Sequence, residues 1–322
     1  MKKTNALSIL KESIDTSPVS CDFRLLSEKI NGFWNEVYIF GSASGMGKTS
    51  FVTNLAWNIV SSEENTEALF FSFDHPSSDI SIKLASGSMD IPFSYLKDIK
   101  NDNRIYDRRF SQKLKKLKSI LRKITIIDNS HRKHFTSDHI IDLIEKKRKN
   151  NPHSRFITVI DQLYNMYEDD ALSLLYRLKK AAQYYRTPLL ITMSLPRNAE
   201  NTRPLRKHMK TLSHIMSLSY VFFTLYTDFV INYESPFVEW DWQKKDTMVP
   251  ITELTIHKNK IEDFTGSLFY RFYNSTSSFT ECIPAENDNY RNMTENLDEY
   301  SRKKRDDLIR SSRATVLLPD EV

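Results

Sequence analysis

Six glycines serve all 322 residues of this chain, and three of them fall within seven positions, directly before a lysine and a hydroxyl: Gly41-Ser42-Ala43-Ser44-Gly45-Met46-Gly47-Lys48-Thr49-Ser50. Globular chains average about 7% glycine, so a chain this poor in it places glycine where the backbone geometry demands it. A loop of this kind turns its N–H groups inward around the β- and γ-phosphates of a nucleotide. The lysine neutralises them, and the hydroxyl of Thr49 holds Mg²⁺. The flanks agree: Val37-Tyr38-Ile39-Phe40 reads as a short buried strand, and Ser50 to Val60 reads as a helix whose positive end faces the anion. In the usual G-x-x-x-x-G-K-[ST] spacing the first glycine would stand at Ser42, and here it comes one residue early, at Gly41. Ser42, Ala43, Ser44, Gly45, Met46, Gly47, Lys48, Thr49 and Ser50 are the expected nucleotide contacts, with ATP and Mg²⁺ as cofactors.

Composition removes several other classes. A hydrophobic content of 40% is enough for a sizeable core, in one large α/β domain or two smaller ones. The two cysteines, Cys21 and Cys282, are far apart and have no C-x-x-C partner, so neither a disulfide framework nor a zinc site is expected. His131 and His134 lie in a Lys/Arg-rich turn with no second ligand pair and read as solvent-facing. No apolar run approaches about 18 residues, and the Met-Lys-Lys start lacks an apolar signal core; a cytoplasmic protein with no membrane partner is expected. The net charge is +5 but unevenly spread. Arg108, Arg109, Lys113, Lys115, Lys116, Lys118, Arg122 and Lys123 form one acid-free cluster, which fits either a nucleic-acid backbone or a solvated helix face. Arg197, Arg203, Arg206, Lys207 and Lys210 form a second, also suited to phosphates.

Strands and helices alternate through the middle of the chain. Residues 1–30 read as a polar arm with one short amphipathic stretch, residues 31–282 as the folded domain, and 283–322 as a charged, loosely held tail. Expected strands are Ala68–Asp74, Ile124–Ile127, Phe156–Asp161 and Pro188–Ser194. Expected helices are Ser77–Ala85, Ile91–Ile99, Ser111–Lys123, Asp138–Lys149 capped by Ser137, and Leu172–Tyr185. After residue 220 the pattern turns β-rich, with Val221–Tyr226, Phe229–Tyr233, Ile251–Lys258 and Ser267–Asn274 as strands. This order predicts an α/β fold: a mostly parallel sheet flanked by helices, with an antiparallel edge after residue 220.

A phosphate loop also needs an acid near the magnesium and a group to orient water. Phe156–Ile160 is an apolar run that ends in Asp161, the expected Mg²⁺-side acid. Asp74 ends the neighbouring apolar strand and has two readings: a carboxylate that polarises water, or a cap for the helix opening at Ser77. Ser194, at the end of a third strand, is the candidate γ-phosphate sensor.

These residues resemble the motor domain of DnaB-type replicative helicases. The resemblance rests on Gly45-Met46-Gly47-Lys48-Thr49-Ser50-Phe51, Leu69-Phe70-Phe71-Ser72-Phe73-Asp74, Ile160-Asp161, Leu178-Lys179 with Ala181-Ala182, Arg197 and Arg203, and Lys258-Asn259-Lys260 before Thr265-Gly266. It implies a RecA-like P-loop core and a ring, six-membered in the family, with ATP bound between subunits and single-stranded DNA in the channel. Carried over by position, Lys48 and Thr49 hold phosphate and Mg²⁺, Asp161 supports the metal, and Asp74 takes the place of a catalytic glutamate. Ser194 stands where a glutamine senses phosphate. Lys258 and Lys260 stand where a lysine and an arginine finger reach the neighbour's site. Arg197, Arg203, Arg206, Lys207 and Lys210 face DNA. The family's primase-recruiting amino-terminal domain has no counterpart in residues 1–30, which implies a loader- or primase-type partner supplied separately. The resemblance implies ATP-driven translocation and unwinding. The shorter carboxylate at 74, the lost amide at 194 and the lysine at 260 favour, as the alternative, a weakly hydrolysing, nucleotide-switched assembly protein or a non-helicase RecA-like ATPase in DNA metabolism.

Overall fold

The computed structural model describes residues 17–98, 115, 117–131, 135–166, 170–196, 202–233, 235–241 and 247–297. Among them run β1 (Val37–Ser42), β2 (Thr66–Ser72), β3 (Ile124–Asp128), β4 (Arg155–Asp161), β5 (Leu189–Ser194), β6 (Val221–Thr227), β7 (Val238–Asp241), β8 (Thr247–Asn259), β9 (Gly266–Tyr273) and β10 (Ser278–Glu281). They pair in the order β10-β9-β8-β6-β1-β5-β4-β2-β3, with β7 beside β8. From β3 to β6 every pairing is parallel, and from β6 through β8, β9 and β10 every pairing is antiparallel. The fold is the expected one, and its parallel strands all point their carboxyl ends at one edge.

The central strands β1, β2, β4, β5 and β6 are buried almost without alternation because both faces are covered. Adjacent residues therefore belong to different cores. Phe40, Phe70 and Phe223 join the cluster under helix Lys48–Ser62, while Ile39, Phe71 and Phe222 join the cluster under helices Ser137–Asn150 and Ala171–Tyr185. Phe40 and Phe223 stack at 4.6 Å between centroids.

Several sequence expectations change. Residues 17–30 do not read as a polar arm, since Val19, Cys21, Phe23, Leu26 and Ile30 enter the first core cluster. Glu281, at the far end of the same unit, accepts the Leu25 and Leu26 N–H groups at 2.9 and 3.1 Å and so caps helix Arg24–Ile30. Residues 1–16 lie outside the described residues. The expected strand Phe229–Tyr233 is instead one helical turn, Asp228–Ile231. Its apolar residues could fit either period, but beyond Thr227 no strand of the sheet pairs with it, and Val230, Ile231 and Tyr233 are exposed. Thr136, not Ser137, is the N-cap of helix Ser137–Asn150; its N–H donates to His139 Nδ1 at 3.2 Å.

The chain divides into two units between Glu281 and Cys282. In the second, residues 284–297 form a helix where a loose tail was expected. Pro284 suits its first turn, and Glu286 accepts the Ile283 N–H at 2.9 Å, the reciprocal half of a capping box. Residues 298–322 lie outside the described residues. No described helix is long and apolar enough to cross a membrane.

Candidate phosphate-binding site and cationic groove

The loop between β1 and helix Lys48–Ser62 is shaped by two glycines with positive φ, Gly45 at +78° and Gly47 at +86°. These values explain why glycine stands there. Gly41 has a different reason. A Cβ on it would lie 2.8 Å from Leu195 Cδ2, and Leu195 donates its N–H to the Ser42 carbonyl at 3.0 Å. The early glycine thus makes room for the chain leaving β5. Lys48 is 8% exposed, and its ammonium donates to Ser42 O, Ser42 Oγ and Ala43 O at 3.0, 3.2 and 2.9 Å. Burial lowers its pKa, and the carboxylates of Asp161 and Asp74 oppose that shift.

Asp161 ends β4, in register with Ser72 of β2, and is 1% exposed. Thr49 Oγ1 donates to its Oδ2 at 2.9 Å, and Thr192 Oγ1, on β5, donates to its Oδ1 at 2.6 Å. Burial raises the carboxyl pKa, and the two hydroxyls hold it down. Lys48, Thr49 and Asp161 are therefore brought together as expected. A hydroxyl and a carboxylate converging beside a glycine cradle form an all-oxygen donor set, the chemistry that fits Mg²⁺ beside nucleotide phosphates.

Asp74 lies beyond the end of β2, is half exposed, and has His75 Nε2 3.8 Å from its carboxylate. The capping reading of Asp74 does not hold. The Ser77 N–H donates to Asp128 Oδ2 at 2.5 Å, so an acid from β3 caps helix Ser77–Met89. Ser194, level with Ser42 in the β1–β5 register, has its hydroxyl engaged by Gln162 Nε2 at 3.1 Å. Three residues in this neighbourhood are not legible from motif spacing: Thr192, Gln162 and Lys83. Lys83, on helix Ser77–Met89, donates to Ser50 Oγ and Ser277 Oγ, each at 3.4 Å, beside a cavity of 510 Å³ lined also by Asn54, Trp57, Tyr273 and Phe279. Burial lowers its pKa, opposed by Asp161 and Asp79. Only the folded chain places its ammonium near the loop.

The remaining candidates sit elsewhere. Lys258 is opposite Phe222, and Lys260 donates its N–H to Tyr220 O, while Tyr220 donates to Val37 O. Phe222 pairs with Ile39, so Lys258 is level with the middle of β1 and Lys260 with its start, whereas Lys48 follows its end. At about 3.3 Å per residue, those levels lie roughly 10 and 17 Å from the end of β1. Neither lysine serves the phosphate loop of its own chain. A bulge at Phe222/Phe223 re-aims Lys258. Its ammonium donates to the carbonyls of Met216, Ser217 and Ser219 at the end of helix Ser213–Leu218. Burial, with Lys260 and Lys179 nearby, lowers its pKa to about 8.

Arg203, grouped by sequence with the DNA-facing cations, turns inward. It donates through Nε and Nη2 to Glu253 at 2.7 and 2.6 Å, and Glu253, 5% exposed, also accepts from Thr255 and Ser267. Arg206, Lys207 and Lys210 follow on an exposed 3₁₀ turn, Arg206–Leu212. With Met209, Met216 and Lys258 they line a surface groove of 610 Å³. Arg197 lies outside the described residues, as do His134 and Arg108, Arg109, Lys113 and Lys116 of the first basic cluster; Lys115, Lys118, Arg122 and Lys123 are described, and the first three are exposed.

A mostly parallel sheet with a glycine-cradled Lys-Thr pair facing a strand-end aspartate defines a RecA-like P-loop domain. The sequence model of the DnaB-like helicase C-terminal domain matches residues 18–281. The chain belongs to that family of helicase-type ATPases. Among solved structures it is similar to one described as an ATPase domain, with 18% identity, a TM-score of 0.71, and coverage of 86% of this chain and 98% of that one. It is also similar to a DnaB-like replicative helicase described with its interactions with primase, with 18% identity, a TM-score of 0.69, and coverage of 88% of this chain and 68% of that one. At that identity the two share its fold. No curated protein matched the sequence.

Proposed function

We propose that this chain is an ATP-hydrolysing motor domain that assembles as a ring of identical subunits, six as in its family, and moves along single-stranded DNA in the cytoplasm. The observation that carries the reading is the cluster at the strand ends: Lys48 in a glycine cradle, and Thr49 bonded to the buried carboxylate of Asp161. Phosphoryl transfer to water asks the protein for positioning and charge stabilisation above all. Lys48 would exchange its carbonyl partners for phosphate oxygens, and the N–H groups of residues Ser42 to Ser50 would turn to the same anion. Thr49 and Asp161 would hold Mg²⁺, which would supply positive charge against that of the phosphates. Asp74, with helix capping left to Asp128, is the carboxylate available to take the proton of the attacking water. It is one methylene shorter than glutamate, and slow turnover follows from that.

Lys258 and Lys260, on the far edge of the sheet, would meet the phosphate site of a neighbouring subunit, with Lys260 the freer of the two. The groove formed by Arg206, Lys207 and Lys210 has no acid among its described lining residues, which supports a phosphate-backbone contact. Arg203 would support that contact from behind, and Arg197 belongs to the same stretch of sequence. A loader- or primase-type partner would act on the assembled ring.

The test is the steady-state ATPase rate with and without single-stranded DNA, beside Lys48→Ala. Stimulation that vanishes in the variant supports the motor. Nucleotide binding without DNA-stimulated turnover supports instead a nucleotide-switched assembly protein, the reading favoured by the exposure of Asp74.

A further inference from the structure

We propose that Gln162 is the group that reads the terminal phosphate of the nucleotide, with Ser194 and Thr192 as its positioning residues; this rests on the nucleotide reading above. Five non-glycine residues have positive φ among the described residues. Asn31, Asp90, Arg186 and Ser277 each end a helix or 3₁₀ turn, the usual place for a left-handed residue. Gln162 does not. It stands at φ +74° directly after Asp161 and opens the 3₁₀ turn Leu163–Asn165. A strained backbone at such a point persists only where its surroundings hold it.

Three contacts with β5 hold it, the longest from Ser194 Oγ to Gln162 Oε1 at 3.5 Å. The Gln162 N–H donates to Thr192 Oγ1 at 2.7 Å, and its side-chain Nε2 donates to Ser194 Oγ at 3.1 Å. The first fixes the backbone against the hydroxyl that also steadies Asp161. The second lays the carboxamide against the residue level with Ser42, whose carbonyl and hydroxyl hold the Lys48 ammonium. An amide is thereby delivered to the carboxyl edge between the metal-side acid and the phosphate-side lysine.

The chemistry of the site leaves that role open. Lys48 supplies charge and Thr49 and Asp161 supply metal ligands, while Asp74 can only accept while ionised. A terminal phosphate adds acceptor oxygens that the shorter product lacks, and the attacking water has a proton to donate. A carboxamide matches both. The Ser194 hydroxyl, engaged by Gln162, is the anchor rather than the reader.

The test compares binding of ADP with binding of a non-hydrolysable ATP analogue, both with Mg²⁺, by fluorescence titration of the full chain. One hydrogen bond to a charged oxygen is worth about tenfold in affinity or more. Gln162→Ala should weaken the analogue by about that factor and leave ADP within about twofold. Ser194→Ala should shift the same ratio in the same direction by several-fold, and it keeps the test open if Gln162→Ala does not fold. Equal loss of both nucleotides in the two variants, or an unchanged ratio, overturns the assignment. A wild-type chain that binds neither nucleotide better than Lys48→Ala overturns the nucleotide reading itself, and the assignment with it.

Discussion

Thr192→Val tests how the buried carboxylate at the centre of the site is held. The Thr192 hydroxyl makes two bonds at once, donating to Asp161 Oδ1 at 2.6 Å and accepting the Gln162 N–H at 2.7 Å. Thr192 is fully buried and Asp161 is 1% exposed, so water cannot replace either bond. Valine keeps the shape and leaves two partners unmatched, one of them charged. Each orphaned group costs about 1–3 kcal/mol, offset by at most ~1 kcal/mol from the added methyl. The net expectation is a loss of about 3 kcal/mol, or a fall of roughly 5–10 °C in melting temperature for a domain of this size. Thr158→Val is the control: it lies in the same sheet, and its hydroxyl partner Thr187 keeps the Phe156 carbonyl at 2.9 Å, so about 1 kcal/mol should be lost. Burial already raises the Asp161 pKa. Removing a donor raises it further, so the excess loss should shrink as pH falls and the folded carboxyl takes a proton. Urea denaturation at pH 8 and pH 5 measures both quantities. Equal losses for the two valine variants would refute the claim that Thr192 supports a charged Asp161.

Other outcomes follow from the same geometry. Gly41→Ala places a methyl 2.8 Å from Leu195 Cδ2 and should cost about 1–3 kcal/mol in denaturant titration; no loss would mean that Leu195 moves freely. His257 is buried against Thr224, and burial lowers its pKa to about 4. The unfolded chain therefore takes up the proton first, and stability that is full above about pH 6.5 is lost as pH falls toward 4. That pH-dependent loss is worth roughly 3 kcal/mol and should disappear in His257→Gln; a variant whose stability falls with pH as the native chain's does would show that His257 is not its source. Asp74→Glu and Lys260→Arg should each raise ATP turnover, with a single-stranded-DNA-stimulated rate assay as the readout, and no change in either would remove those residues from the chemistry. Glu253→Gln adds positive charge near the groove, yet it should weaken single-stranded DNA binding because Arg203 loses its bidentate partner. Tighter binding in a salt titration would show that Glu253 acts only through its charge.

Much of the site was legible because its chemistry is local in sequence. Gly45, Gly47, Lys48 and Thr49 are nearly contiguous, and the positive φ of the two glycines is a property of the residues themselves. Asp161 was legible because a run of strand-forming residues ending in an acid leaves that acid at the carboxyl edge, whichever strands pair beside it. The alternation of apolar runs likewise determined a mostly parallel sheet, since strands buried on both faces carry no period-2 pattern. The helical turn at Asp228 and the capping at Thr136 were not legible, because short segments fit more than one period and neighbouring hydroxyls compete for the same cap.

What only the tertiary structure decided is which distant residues share a place. Thr192, Gln162 and Lys83 carry no motif, and they reach the site through strand register and helix packing. The fold also decided that Asp128 relieves Asp74 of capping, that Arg203 turns inward to Glu253, and that Lys258 is re-aimed by a bulge. Sequence sets which side chains have charge and reach. The paired strands set where that charge ends up, because a one-residue shift in register exchanges the two faces of a strand.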